Sequence, residues 1–249
     1  MIKSERQKQI LDILKENGGF ITVTALSEKL YASPSSIRRD LTALENLGSV
    51  KRAYGGAELI NTYSGAIPFN YRYPLNEKEK KIIAKKALSL IKDKCVIFMD
   101  QSSSAFYLAT MLPNLRTITV VTNNLEILTL LSSTNINVIS SGGYLHAENR
   151  CCLVGKSAEE TFYKFHADYA FVSCKSLSYD GVITDCTIDE LPVREAMIKN
   201  TDKKVFLCDG SKIGGFSAFV EFSLKDVDYL VSDVACTHFQ NKFPSLTIL

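Results

Sequence analysis

The chain has little histidine, no paired-cysteine motif and no long apolar run, and each shortage closes a class of function. His146, His166 and His238 are the only histidines in 249 residues, and none stands at ligand spacing from a cysteine. The seven cysteines (95, 151, 152, 174, 186, 208 and 236) form an odd set without a Cys-x-x-Cys. Zinc and disulfide frameworks are therefore not expected. Cys95 and Cys208 lie inside apolar, strand-like runs, where cysteine behaves as a small hydrophobe. No run approaches the ~20 apolar residues of a membrane span. No secretory signal precedes the first helical pattern, so the expectation is a cytoplasmic protein with free thiols, no membrane partner, no metal and no cofactor. Repeats and low-complexity tracts are absent too. Nor is there a field of one sign: the formal net charge is +2. Residues 1–60 hold 9 Lys+Arg against 7 Asp+Glu, while the remainder is balanced at 20 each. Local placement must therefore carry any nucleic-acid argument.

What is present is organised around Ser33-Pro34-Ser35-Ser36-Ile37-Arg38-Arg39-Asp40-Leu41. Ser33 is a good N-cap, and Pro34 suits the first helical position, where its missing N–H costs nothing. Ile37, Leu41, Leu44 and Leu47 recur at helical spacing, and Gly48 stands where a left-handed C-cap is wanted. The opposite face carries Ser35, Ser36, Arg38 and Arg39, with no acid before Asp40. Hydroxyls and guanidiniums at a helix N-terminus suit an anion, and in a helix-turn-helix these side chains reach base edges. Upstream, Ser4 to Gln7 reads as a capping box before the stripe Ile10, Leu11, Ile13 and Leu14. Thr22 caps a second helix with Ala25, Leu26 and Leu30 inward, and Tyr31-Ala32 is a tight connection. Downstream, Ser49 to Ala57 reads as a strand, two cations, an aromatic and a Gly-Gly turn: a wing along a phosphate backbone, with Arg52, Tyr54 and Gly55 placing it.

From Asn76 onward helix and strand alternate. Asn76 with Glu79 reads as a helix cap, followed by inward Ile82, Ile83, Ala87, Leu90 and Ile91. Strands are expected at 95–99, 117–121, 137–139, 169–173, 205–207 and 229–231, with helices at 105–112, 125–131, 157–165 and 193–199. Short buried strands between helices imply a mostly parallel sheet covered on both faces, with ligands outside its carboxyl ends. Those ends carry Asp100 with Ser102, Ser103 and Ser104 opening a helix, then Thr122-Asn123, Gly142-Gly143 and Asp209-Gly210-Ser211-Lys212. Asp185 and Glu190 are placed to reach sugar hydroxyls. One ammonium, one anion-seeking helix start and several carboxylates and amides suit a phosphorylated polyol. The plainer alternatives are a serine N-cap, asparagine turn residues and a solvated lysine.

The residues 33–41, Leu44-Glu45, Gly48 and the wing Arg52-Ala53-Tyr54-Gly55-Gly56-Ala57 resemble the winged helix of the DeoR family of bacterial transcriptional regulators. Asp100 with the serines, Leu153-Val154-Gly155, Asp180 to Asp185, Val193-Arg194-Glu195-Ala196-Met197 and Asp209 to Lys212 resemble that family's C-terminal sensor domain. The resemblance implies an α/β chain: a winged helix-turn-helix over 1–57, a linker over 58–75, and an effector-binding domain over 76–249 similar in fold to ribose-phosphate isomerases and CoA transferases. It further implies a repressor of carbohydrate metabolism, double-stranded operator DNA and a phosphorylated sugar as partners, and a homo-oligomer on repeated half-sites. Two departures stand out. Tyr54 replaces a frequent His, and Ser102 takes a position the family often gives to Gly, a handicap if that backbone needs φ > 0. The competing class is a sugar-phosphate isomerase with a DNA-binding head, using Asp100, Asp185, Glu190 and Lys212 as acids and bases. A third is a regulator whose pocket has lost its ligand.

Overall fold

The structure, a computed structural model, describes residues 3–17, 19–46, 50–59, 69–114 and 117–249. The chain divides into two compact units, residues 1–71 and 72–249. The expected C-cap at Gly48, with Leu47, and the linker residues 60–68 lie outside the described residues.

The first unit runs α1 (Lys3–Glu16), β1 (Phe20–Thr22), α2 (Val23–Leu30), α3 (Pro34–Asn46), β2 (Val50–Ala53) and β3 (Gly56–Leu59). Its core follows the helical stripes: Ile10 and Leu14 of α1, Leu26 and Leu30 of α2, and Ile37, Leu41 and Leu44 of α3 are all buried. Thr22 caps α2 by accepting from the Ala25 amide at 3.2 Å. Val23 takes the inward place expected of Ala25, which is only half-buried. The step Phe20-Ile21 is a true strand, pairing antiparallel with β3, which also pairs with β2. β3 is thus the middle strand, and Gly56 is required there: a Cβ would stand 2.3 Å from the Ile21 carbonyl oxygen.

In chain order there follow α4 (Phe69–Arg72), α5 (Glu77–Leu88), β4 (Val96–Met99), α6 (Ser103–Ala109), β5 (Thr119–Thr122), α7 (Leu125–Leu131), β6 (Asn137–Ser140), β7 (Tyr144–Leu145), β8 (Leu153–Val154) and α8 (Lys156–Tyr163). Then come β9 (Ala167–Val172), β10 (Ser176–Leu177), β11 (Val182–Asp185), α9 (Leu191–Lys199), β12 (Thr201–Leu207), β13 (Phe219–Ser223), β14 (Tyr229–Val231), α10 (Thr237–Lys242) and β15 (Thr247–Ile248). Seven strands form one parallel sheet in the order β15-β14-β12-β9-β4-β5-β6. The strand residues alternate between two cores. Ile97, Met99, Val120, Phe171, Val205 and Leu207 pack on one face, with Ile83 and Ala87 of α5 and Leu108 of α6. Phe98, Val121, Val172 and Phe206 pack on the other, with Phe162 of α8 and Val193 and Met197 of α9. A sheet buried on both faces explains the continuous apolar runs in its strands.

Several local expectations need correction. Ile82, expected to face inward from α5, is exposed. Asn76 does not cap α5 through its side chain: it has φ +53, and its amide donates instead to Asp209 Oδ1 (3.1 Å) and Ser211 Oγ (2.8 Å). The helix expected over 105–112 is α6, ending at Ala109, followed by a separate 3₁₀ turn at Leu112–Asn114. A small antiparallel sheet, β10-β11-β13, was not anticipated; it carries Asp185 on β11 and Glu221 on β13.

Candidate nucleic-acid interface and strand-end site

On α3 the Ser33 hydroxyl accepts from the Ser36 amide at 3.3 Å and lies 3.0 and 2.9 Å from the Ser35 and Ser36 hydroxyls. Ser33 is thus a cap, and Ser35 with its neighbours forms a hydroxyl cluster at the helix start. Arg38 and Arg39 are exposed, and their guanidiniums take no partner among the described residues. Asp40 is turned inward and fully buried, where Arg6 Nε holds its Oδ2 at 2.5 Å. The acid of the motif therefore does not dilute the cationic face. The wing is the β2–β3 hairpin, with Gly55 at φ +71 and Tyr54 fully exposed at its turn. Arg52 is exposed on the wing; its amide donates to Glu45 Oε1 (2.9 Å) and its Nη1 to Thr42 Oγ1 (3.4 Å), so it joins the wing to α3.

In the second unit the parallel strands bring their carboxyl ends to one edge, and with them Asp100, Ser102 to Ser104, Thr122-Asn123, Gly142-Gly143 and the Asp209–Lys212 turn. Their roles there divide. Ser102 caps α6, accepting from the Ala105 amide at 3.0 Å, and its φ of −74° lies in a region any residue adopts. In this conformation the position needs no glycine. Thr122 donates to the Met99 carbonyl (2.7 Å), Asn124 caps α7, and Asn123 Nδ2 reaches the Leu153 carbonyl at 3.1 Å. Gly143, at φ +98, has a Cβ position 2.4 Å from the Val154 carbonyl oxygen, so strand packing alone excludes a side chain there. Left without a partner are the buried Ser104 hydroxyl and the Asn123 Oδ1. A buried polar atom without a partner is costly and points to a missing donor or acceptor.

Asp100 and Asp185 are consumed by the fold. Asp100, wholly buried, accepts from the Ser102 amide (3.0 Å) and the Ser173 amide (2.9 Å). Both aspartates face Arg194, a buried residue that in the sequence stands out only as part of the 193–197 motif. Its Nε lies 3.3 Å from Asp100, its Nη1 lies 3.2 Å from Asp185 and against Glu221, and its Nη2 lies 3.4 Å from Glu190. Glu190 also accepts from Gln101 (2.5 Å) and Asn149 (3.0 Å). Burial raises the Asp100 carboxyl against the pull of Arg194. For Asp185 burial is opposed by Arg194 and the Cys186 amide, and the net effect is downward. One guanidinium thus ties α9, β11, β13 and the β4 end together.

Three cations gather at the same edge, two of them missed in the sequence. Lys212 donates to Ser173 Oγ at 2.7 Å and stands 3.8 Å from Asp209. Lys80, buried in α5, donates to the carbonyls of Arg72 and Leu75. Burial, then the charge of Lys212, lowers its ammonium to a pKa of about 7. Arg72 sends its charge toward Lys80, Asp185, Cys151 and Cys152, and its buried Nε has no partner. Like charges held this close disfavour one another, a cost that a nearby negative charge would relieve. All seven thiols are free, no cluster suited to a metal ion occurs among the described residues, and no helix among them is long and apolar enough to cross a membrane.

Residues 6–63 match the DeoR-like helix-turn-helix domain, and residues 75–234 match the DeoR C terminal sensor domain. The chain is 36% identical to the HTH-type transcriptional regulator GolR of Listeria innocua, over 94% of this chain and 91% of that one. It is 33% identical to the L-fucose operon activator of Escherichia coli, over 93% and 96% of the two chains. Among solved structures, ribose 5-phosphate isomerase A from Methanocaldococcus jannaschii aligns with 55% of each chain at 20% identity and a TM-score of 0.42, too loose a likeness to bear on activity. The enzyme reading gives way, because the matched domains and relatives are those of regulators. The chain belongs to the DeoR family of DNA-binding transcriptional regulators.

Proposed function

We propose that this regulator is a repressor of a carbohydrate-metabolism operon whose hold on its operator is set by a phosphorylated sugar at the strand ends of the second unit. The observation that carries this is that Lys80 feels the charges of both Lys212 and Arg72 at the strand-end edge, where the Ser104 hydroxyl lacks a partner. A phosphate would supply the negative charge that these groups lack, and the Asn123 Oδ1 acceptor suits a sugar hydroxyl. Arg194 and its carboxylates then frame the site instead of binding the sugar. Ser35, Ser36, Arg38 and Arg39 contact the duplex, and Tyr54 and Gly55 set the wing beside it.

Residues 72–76 link the two events. They follow the first unit in the chain; Asn76 ties them to Asp209 and Ser211 of the turn, and Lys80 holds the Arg72 and Leu75 carbonyls. An anion that recruits Lys80 and Lys212 changes the partners of this tie. The effector must bind the two arrangements unequally, since equal affinity shifts nothing. Repression is the simplest sign, because occupying an operator needs no added contact with a polymerase. One small reading head gives modest specificity, so a homo-oligomer on repeated half-sites is part of the proposal, as is residence in the cytoplasm beside the chromosome. The test is a thermal-shift panel of pentose and hexose phosphates with inorganic phosphate as control. A stabilising sugar phosphate that also alters operator binding supports the proposal, and no shift with any phosphate overturns it.

A further inference from the structure

The recognition helix has an outward residue to which no role has yet been given. Opposite the buried Ile37, Leu41 and Leu44 lie Ser35, Arg38, Arg39 and Thr42, all exposed and spaced i, i+3, i+4 and i+7. That is the spacing with which a helix in a major groove reads successive bases. Thr42 stands one turn beyond Arg38. Its hydroxyl is already engaged twice, donating to the Arg38 carbonyl at 3.0 Å and accepting from Arg52 Nη1 at 3.4 Å. The Arg52 amide is in turn fixed by Glu45 Oε1. Two bonds on one oxygen fix the rotamer, because a threonine side chain has a single free torsion. The remaining group on Cβ is the methyl, on a residue that is exposed.

We propose that Thr42 is a specificity-determining residue of the recognition helix, and that it reads a thymine by packing its methyl on the base's 5-methyl group. Among the four base pairs only those with thymine offer a methyl in the major groove, and threonine's methyl is a fitting partner for it. Ser35, Arg38 and Arg39 then supply polar and phosphate contacts. The Arg52–Thr42 bond occupies the hydroxyl, leaving the methyl as the group free to meet a base, and keeps the wing's cation against the same helix. The inference rests on the placement of α3 in the groove but not on any effector.

The test uses the full chain and a randomised double-stranded DNA library, with selection carried out in parallel on the native protein and on Thr42→Ser, which keeps the hydroxyl and removes the methyl. The native protein is expected to enrich thymine at one position of each half-site, and Thr42→Ser to lose that preference while keeping the others. Replacing this thymine by uracil deletes only the 5-methyl. It should weaken the native protein about fourfold, the factor that burying one methyl-sized apolar group supplies, and leave Thr42→Ser unaffected. Identical base preferences for the two proteins, or equal weakening of both by uracil, overturns the proposal. Thermal melting of Thr42→Ser, expected to match the native protein at this exposed site, shows that a changed preference is not a folding defect.

Discussion

Arg6 on α1 holds Asp40 on α3 across 2.5 Å, with the aspartate fully buried and the arginine largely so. The pair joins the first helix to the recognition helix and withdraws the motif's one acid from the face that meets DNA. Removing the arginine leaves a buried carboxylate uncompensated, while Gln7, at 3.4 Å, is a weak substitute. Arg6→Ala should therefore destabilise the first unit by about 2–3 kcal/mol. Denaturant melts followed by a probe in residues 1–59 will show it, and unchanged melts would mean the pair contributes nothing.

Arg38 makes the opposite prediction. It is exposed and its guanidinium touches nothing in the described protein, so Arg38→Ala costs the fold nothing measurable. Operator affinity should fall at least ~10-fold, and the dependence on salt should flatten by about one ion for a phosphate-type contact. Gel shifts at several salt concentrations, beside a thermal melt, separate the two effects. Normal operator footprinting by this variant would remove α3 as the reading element.

Local chemistry was legible wherever it was contained in one stretch. The Ser33 cap, the Pro34 start and the Ile37/Leu41/Leu44 stripe specify α3 without outside help, and the runs at 96–99 and 119–122 specify buried strands. Features that depend on distant partners were not visible. Phe20–Thr22 is a strand only because Gly56–Glu58 runs beside it. Asn76 looked like a cap, yet its amide finds Asp209, 133 residues away. Nothing in the sequence marks Lys80 or Arg72; only the fold sets Lys80 in the field of Lys212 and Arg72. Asp100 and Asp185 were read as ligand groups because a carboxylate at a strand end looks available. Arg194 claims both, and nothing in the spacing of residues 100, 185 and 194 reveals it.

Lys80 gives stability and effector binding a pH dependence. Its folded pKa, about 7, is below the unfolded value of 10.5, with burial the largest cause and Lys212 next, while Asp209 opposes the shift. Between those values the unfolded chain binds more protons, so stability rises as pH climbs from about 7 towards 10. Lys80→Met should lack this rise, and the difference between the two melting curves against pH isolates it from other groups. Binding a phosphate dianion favours the charged ammonium. The affinity of the native protein for a sugar phosphate is thus expected to weaken above pH 7, with proton uptake on binding measurable as a buffer-dependent heat. Parallel stability profiles for the native protein and Lys80→Met would show that the lysine does not titrate in this range.

Losing Arg194 is expected to cost the second unit heavily. It faces Asp100, Asp185, Glu190 and Glu221, all buried, and its own charge is reinforced: burial would lower its pKa, but Asp185 and Asp100 more than reverse that. Arg194→Ala leaves these carboxylates with one another as neighbours, which is worth about 3–5 kcal/mol of destabilisation at neutral pH. The penalty depends on their being ionised. Without the arginine, Asp100 and Asp185 lose the charge that pulls their carboxyls down, so they take up protons as pH falls and the repulsion is relieved. The stability gap between Arg194→Ala and the native protein is therefore expected to narrow from pH 7 to pH 5. Arg194→Met, which fills the volume without the charge, should follow the same pH trend, whereas a gap that is constant with pH would mean that packing, not charge, is what Arg194 supplies.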